Sequence, residues 1–283
     1  MKLTWMGTAA LLFEEAEHVI AFDPFPGIPY GALKRGGKDL PVSEKRRRRE
    51  DARMFRRAAE VFVTHGHLDH ICYIPALYGG EKSAAHVTCT RTPYETLAGL
   101  GFPADRLREV GQGGIVPAEG SQHVEAGPFM LRAWPSRHCR FDRELILRTA
   151  LSRRLLTHLP DLFRMGRALR SFPEAGETLF WELTCGGTRV QILGSLNLRD
   201  DVDYPSGADV LILPYQGKSG RLLAETASEI IGRLRPKSVL LDHYDDTFPP
   251  LSADVPTGEI VRISEQRFGI PCRPLKKYEA VLI

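Results

Sequence analysis

The stretch Thr64-His65-Gly66-His67-Leu68-Asp69-His70 constrains this chain more than any other. Three histidines and one carboxylate fall within six consecutive residues, directly after the apolar run Val61-Phe62-Val63, which reads as a short buried strand. Histidine is the commonest protein ligand for zinc-like metals, and aspartate adds a hard oxygen donor. Four such side chains at the mouth of one strand predict a metal site. A metal draws ligands from several elements, so the fold must bring other strand ends to this one. Two further histidines are so placed: His138 follows Leu131-Arg132-Ala133-Trp134-Pro135-Ser136-Arg137, and His243 follows Val239-Leu240-Leu241-Asp242. His18, His86, His123 and His158 lack that placement, and for them a surface or internally satisfied histidine is the favoured reading.

Around these residues the chain alternates strand-like and helix-like segments. Leu3 to Met6, Ala9 to Phe13 and His18 to Phe22 read as strands, and Asp23-Pro24 ends the unit because proline stops a ladder. Residues 26–42 are rich in Gly and Pro and read as a long loop. A helix is expected from Ser43 to Ala59 with Ser43 as N-cap. Strands are expected at Val87–Cys89, Gly113–Val116, Met130–Trp134, Thr178–Thr184, Arg189–Leu193, Val210–Leu213 and Val239–Asp242. Helices are expected near Tyr73–Leu77, Thr92–Leu100 and Thr226–Leu234. Residues 142–172 differ, being long, helical in pattern and rich in Leu and Arg. Interleaved strands and helices without a linker or a fixed-period repeat favour one α/β domain.

Composition narrows the function classes. A net charge of +3 is too small to argue for nucleic acid. The run Lys45-Arg46-Arg47-Arg48-Arg49 lacks interleaved aromatics for base stacking, and a solvated helix face balanced by Glu44, Glu50 and Asp51 is the favoured reading. The five cysteines form no short-spaced pair, which points to a reducing compartment rather than a disulfide framework. The N-terminal segment is broken by Thr4, Gly7 and Thr8 and runs into Glu14-Glu15, unlike a secretory leader. The expected location is the cytoplasm.

Taken together, these residues resemble the metallo-β-lactamase superfamily of metal-dependent hydrolases. The likeness covers nearly the whole chain: Thr4-Trp5-Met6-Gly7-Thr8-Ala9, Phe22-Asp23-Pro24, the His65–His70 motif, His138 and His243. The Gly7 turn and the Asp23-Pro24 pair are most similar to the branch of sugar-phosphate lactonases and N-acyl phospholipase D-like proteins. The resemblance implies an αββα sandwich of two mixed β-sheets flanked by helices, as one domain over residues 1–283 with a helical insertion at about 142–172. It assigns His65, His67 and His138 to one metal, and Asp69, His70 and His243 to a second. Zinc is the expected ion, one or two per chain, with manganese or iron accepted by the same donors. A bridging hydroxide would attack an ester, lactone or phosphodiester of a small molecule, with Asp69 orienting it or taking a proton.

One position departs from the family. Where a bridging aspartate is expected, in Gln191-Ile192-Leu193-Gly194-Ser195-Leu196-Asn197, stands Ser195, a poor metal ligand. That leaves a two-metal site with one weaker half, a one-metal site, or a non-catalytic metal-bound sensor. Asp200 and Asp201 lie nearby but read as solvated loop carboxylates. Tyr215 and Tyr244 follow strand ends, where either a substrate contact or rim packing is expected. The Leu/Arg segment 142–172 suits packing on its own domain or a second subunit, making a homo-oligomer, better than a membrane surface. A phospholipase D-like activity on lipid is the alternative enzyme reading it supports.

Overall fold

The computed structural model describes residues 1–25, 27, 42–81, 83–111, 115–153, 172, 176–246 and 252–283, with the backbone alone for 42–48. In chain order the strands are β1 (Lys2–Gly7), β2 (Ala10–Glu15), β3 (His18–Phe22), β4 (Glu60–Phe62), β5 (His86–Cys89), β6 (Leu107–Glu109) and β7 (Val124–Ala126). They continue as β8 (Phe129–Ser136), β9 (Thr178–Cys185), β10 (Thr188–Leu193), β11 (Val210–Pro214), β12 (Val239–Asp242), β13 (Cys272–Pro274) and β14 (Ala280–Leu282). The α-helices are α1 (Val42–Phe55), α2 (Leu68–Ile71), α3 (Ile74–Tyr78), α4 (Arg91–Gly99), α5 (Arg143–Ala150), α6 (Gly220–Leu234) and α7 (Gly258–Ile263).

The strands form two seven-stranded sheets, ordered β14-β1-β2-β3-β4-β5-β6 and β13-β12-β11-β10-β9-β8-β7. Each sheet is antiparallel on one side and parallel on the other. The parallel pairs are β3–β4, β4–β5 and β5–β6 in the first, and β10–β11, β11–β12 and β12–β13 in the second. The two sheets therefore share one plan, although no sequence repeat announces it.

Side-chain alternation sets the layers, because successive strand residues face opposite sides. On β1 and β2, Leu3, Trp5, Leu11 and Phe13 enter the core between the sheets, where Trp181, Leu183 and Ile192 meet them. Met6, Ala10 and Leu12 face the other way and pack with Phe55 of α1 and Leu97 of α4. On the second sheet, Leu211, Leu213, Val239 and Leu241 take the outer face against Ala227, Ile231 and Leu234 of α6. The result is helix, sheet, sheet, helix. Strands buried on both faces read as near-continuous apolar runs, as β11 and β12 do.

Backbone and side chain also join the sheets directly. Leu179 N–H donates to the Thr64 carbonyl at 2.8 Å, and Trp181 Nε1 donates to the Val63 carbonyl at 3.3 Å. Trp181 is fully buried and packs edge-on against Phe62, with ring centroids 5.3 Å apart.

Some expectations need correction. Helix α1 starts at Val42, so Ser43 lies inside its first turn, and it ends at Phe55 rather than Ala59. The chain turns there because Ala58 N–H bonds back to the Phe55 carbonyl and buries Ala58. Ile115 makes an isolated bridge and is exposed; Gly113 and Gly114 of the strand expected at 113–116 lie outside the described residues. Strands β6, β7, β13 and β14 are too short to show a pattern. Most of the 26–42 loop, the side chains of the basic run through Arg48, and residues 154–171 of the insertion with His158 lie outside the described residues. Among the described residues no helix is long and apolar enough to cross a membrane.

Replacing Trp181 by Ala empties a large site in the inter-sheet core and removes its bond to Val63. A loss of about 3–5 kcal/mol is expected in chemical denaturation; a loss under about 1 kcal/mol would mean that the two sheets do not depend on this side chain.

Candidate metal centre

The motif begins where β4 stops. Val63 N–H still bonds to Thr88 O of the β5 strand, at 3.0 Å, and the chain then leaves the sheet. Residues Leu68 to Ile71 coil into the single turn of α2, which the sequence reading did not anticipate. That turn places Asp69 and His70 on one side while His65 and His67 reach from the preceding loop. From the second sheet, His138 arrives just past β8 and His243 just past β12.

Two groups of three result: His65, His67 and His138, and Asp69, His70 and His243. In each group the potential ligand atoms all lie within 4.8 Å of one another. These are the two ligand sets that the family resemblance implies. Each takes two residues from the first sheet's loop and one from the second sheet.

A buried carboxylate assigned no role from the sequence holds the motif in shape. Asp23, fully buried at the end of β3 with φ 44°, accepts from Thr64 N (2.8 Å) and Thr64 Oγ1 (2.6 Å). Its Oδ2 also lies 2.8 Å from His70 Nδ1. Because the Thr64 hydroxyl proton goes to Asp23, Thr64 Oγ1 accepts from His65 Nδ1 at 3.1 Å. His138 Nδ1 donates to the Cys139 carbonyl at 2.8 Å. With the Nδ1 protons of His65 and His138 committed, both rings present Nε2 as a free lone pair, the arrangement that suits metal ligands; at His70 burial opposes charge, but Asp23 and Asp69 raise the pKa of the ring above its ordinary value. His65 Nε2 faces His67 Nδ1 at 3.2 Å, so donor atoms converge on one point. Asp69 Oδ2 lies 3.3 Å from His243 Nε2 and 3.6 Å from His70 Nε2. This donor set of five imidazoles and one carboxylate fits one or two divalent ions.

The two groups differ electrically. Burial, with neighbouring imidazoles, lowers the pKa of His65 and His138, and takes His67 down to about 4. The first group is therefore neutral and ready to ligate at pH 7. Around Asp69 the balance reverses. Burial opposes charge on His243, yet the hydrogen bond and charge of Asp69, helped by Asp242 and Asp245, raise it to about 9. Asp69 is held well below the usual carboxylate range: burial raises its pKa, but His70 and His243 more than offset this. The second group thus holds an ionised carboxylate that makes its two imidazoles more basic. His243 itself sits at φ 51°, fixed by its N–H to Thr8 O (3.0 Å), and its buried Nδ1 has no hydrogen-bond partner. Asp242 beside it has one unpaired oxygen, and burial pushes its pKa up to about 7.

Ser195 does not stand in for the expected aspartate. Its Oγ accepts from Cys139 N at 3.0 Å, and Asn197 Nδ2 donates to His138 O at 3.3 Å, so this loop braces the His138 loop. Gly194 leaves room for the motif, since a Cβ there would lie 2.6 Å from Thr64 Cβ. Asp200 is 95 % exposed and Asp201 pairs with Arg199, so neither joins the centre. Tyr215 is buried in the core behind the second sheet, among α6 and α7. Tyr244 donates its hydroxyl to the Leu275 carbonyl and stacks at 5.1 Å on Trp5. Both tyrosines pack the fold.

Two packed mixed sheets with ligand-bearing loops at one edge define a metallo-β-lactamase fold. A family model described as the beta-lactamase superfamily domain matches residues 18–244, and the chain belongs to that family. Comparison with curated proteins finds no match. Among solved structures the chain is similar to Igni18, a metallo hydrolase from the archaeon Ignicoccus hospitalis, with 18% identity, TM-score 0.56, and 99% and 97% of the two chains covered. It is also similar to YhfI of Bacillus subtilis (14%, 0.60, 99% and 98%) and to the short form of human tRNase Z (13%, 0.54, 100% and 99%). At these identities the shared feature is the fold.

Two measurements test this centre. Asp23→Asn removes the charge that orients His70 and anchors Thr64, and is expected to weaken metal affinity about 10–100-fold in chelator competition; unchanged affinity would contradict the clamp. The proton balance also sets a pH dependence. A protonated imidazole cannot ligate, so a proton competes for His243 up to its pKa of about 9, but for His67 only near 4. Elemental analysis after dialysis against zinc should give about one ion per chain near pH 6, rising toward two near pH 9. A flat stoichiometry would overturn the inequality of the two groups.

Proposed function

We propose that the chain is a metal-dependent hydrolase that opens an ester, lactone or phosphodiester bond in a small-molecule substrate. The observation that carries this reading is the pair of three-residue sets, one of three imidazoles and one of two imidazoles with a carboxylate, side by side at the sheet edges. Bound divalent ions supply the water activation, bringing a water pKa to about 7, and polarise the substrate oxygen. Zinc is the ion we assign, with manganese or iron as the alternatives that these donors also accept.

The chain's own residues then have separate tasks. Asp23 and Thr64 fix the ring orientations of His65 and His70. Asp69 stays ionised, so it acts as an acceptor that orients the attacking water rather than as a store for its proton. Cys139 O holds His138, and Ser195 and Asn197 hold the loop behind it. The Gly7 turn and the Asp23-Pro24 pair support a place near the lactonase branch. The five free cysteines support a cytoplasmic location. The net charge of +3 supports a substrate that is not a nucleic acid.

Helix α5 favours a second reading, a lipid phosphodiesterase. Ile146, Leu147 and Leu151 are 55%, 60% and 80% exposed beside Arg143 and Arg148. Co-sedimentation with anionic vesicles would support it, and a protein left wholly in the supernatant would exclude it.

The main reading is tested by turnover. Zinc- or manganese-loaded protein should hydrolyse at least one member of a panel of esters, lactones and phosphodiesters. His67→Ala and Asp69→Ala should each reduce that rate to the level of the metal-free protein. Activity that survives both substitutions comes from another site, and no turnover across the panel would sink the proposal.

A further inference from the structure

The turn between β1 and β2, in the first sheet, is tied to the loop after β12 of the second sheet, which carries His243. Thr8 sits in this turn at φ 53°, a conformation that a β-branched residue keeps only where its surroundings hold it. Both polar groups of its backbone are engaged. Its N–H donates to the two oxygens of Asp245, at 3.0 and 3.1 Å. Its carbonyl accepts from His243 N–H at 3.0 Å and from Trp5 Nε1 at 2.7 Å. His243 and Asp245 thus close a ring of hydrogen bonds on one buried residue of the other sheet. Gly7 makes room for the carboxylate. It stands at φ 103°, and a Cβ there would lie 3.2 Å from Asp245 Oδ2 and 2.7 Å from Lys277 Nζ.

Three other imidazoles of the centre are steadied from behind. Nδ1 of His65 is held by the Thr64 hydroxyl (3.1 Å), that of His70 by Asp23 (2.8 Å) and that of His138 by the Cys139 carbonyl (2.8 Å). The Nδ1 of His243 is buried and has no hydrogen-bond partner among the described residues. Its Nε2 faces Asp69, a member of the same ligand group, at 3.3 Å. A ring without support from behind takes its direction from its backbone, and the backbone of His243 is itself left-handed, at φ 51°. The bond to the Thr8 carbonyl holds that conformation, and Asp245 holds Thr8.

We propose that Asp245 is a positioning residue for His243: by accepting the Thr8 N–H it fixes the backbone from which His243 reaches an ion in the second group. It acts through this hydrogen bond and not through its charge. This rests on the reading of Asp69, His70 and His243 as a metal group, and the test measures bound zinc rather than turnover.

Each group is read alone in full-length protein: His67→Ala leaves the second group as the zinc site, and His70→Ala leaves the first. Zinc affinity is measured by chelator competition at pH 9. Asp245→Ala should weaken binding at least about tenfold in the His67→Ala protein, since supports behind metal-ligating histidines are worth about 10–100-fold. In the His70→Ala protein it should change binding by less than about threefold, a contrast that a general loss of stability would not produce. Asp245→Asn keeps an acceptor oxygen for Thr8 N–H while discarding the charge, and should stay within about threefold of Asp245 in both. Equal weakening of the two groups by Asp245→Ala, or of neither, overturns the proposal. So does an Asp245→Asn protein that matches Asp245→Ala, because charge would then be the agent. A His67→Ala protein that binds no zinc while His70→Ala binds it overturns the second group as a metal site, and the proposal with it.

Discussion

The hydrogen bond from Leu179 N–H to the Thr64 carbonyl is the contact on which the rest of this structure depends. Two sheets that touch only through side chains can slide by fractions of an ångström without losing much burial. A backbone bond between them at the first residue of the histidine motif removes that freedom where it matters. Trp181 adds a second link one residue earlier, to Val63, and Gly194 lets the second sheet approach Thr64 closely. His138 and His243 can then meet His65, His67, Asp69 and His70 at fixed positions. The fully buried aromatic cluster of Phe22, Phe62 and Trp181 fills the space beneath, so the sheets cannot separate without opening a large cavity.

Much of this was legible in the sequence because buried strands and metal ligands are both written in residue type. Val61-Phe62-Val63 and Val239-Leu240-Leu241-Asp242 lie in or at the end of strands, and the histidines after them converge into the two groups. The supporting shell was harder to read. Asp23 looked like the end of a strand before a proline; its task depends on Thr64 and His70 folding back over it, a relation no local pattern contains. A usable signal was there, since a lone carboxylate closing an apolar run has few ways to be buried except by serving a partner. For Tyr215, position alone leaves substrate contact and packing equally open. Its position after a strand end resembled that of His243, but the backbone there turns its ring into the core behind the sheet. The short strands β13 and β14 were missed because three residues carry no periodicity.

Charge is unevenly distributed over the two groups. Asp69 is the one carboxylate among the six clustered donors. It serves His70 and His243 at once and, before any cation arrives, keeps His243 protonated. The neutral triad of His65, His67 and His138 carries no such competition. Two groups that look alike as a list of ligands are therefore unlike as binding sites. The Ser195 hydroxyl braces the loop that carries His138.

Each ligand group takes two residues from the first sheet and one from the second, and this division has a mechanical consequence. An ion bound in either group is a cross-link between the two halves of the sandwich, present only when the halves are closed. Its binding free energy is then counted in full toward keeping them closed, and free ion concentration becomes a variable of thermal stability in its own right.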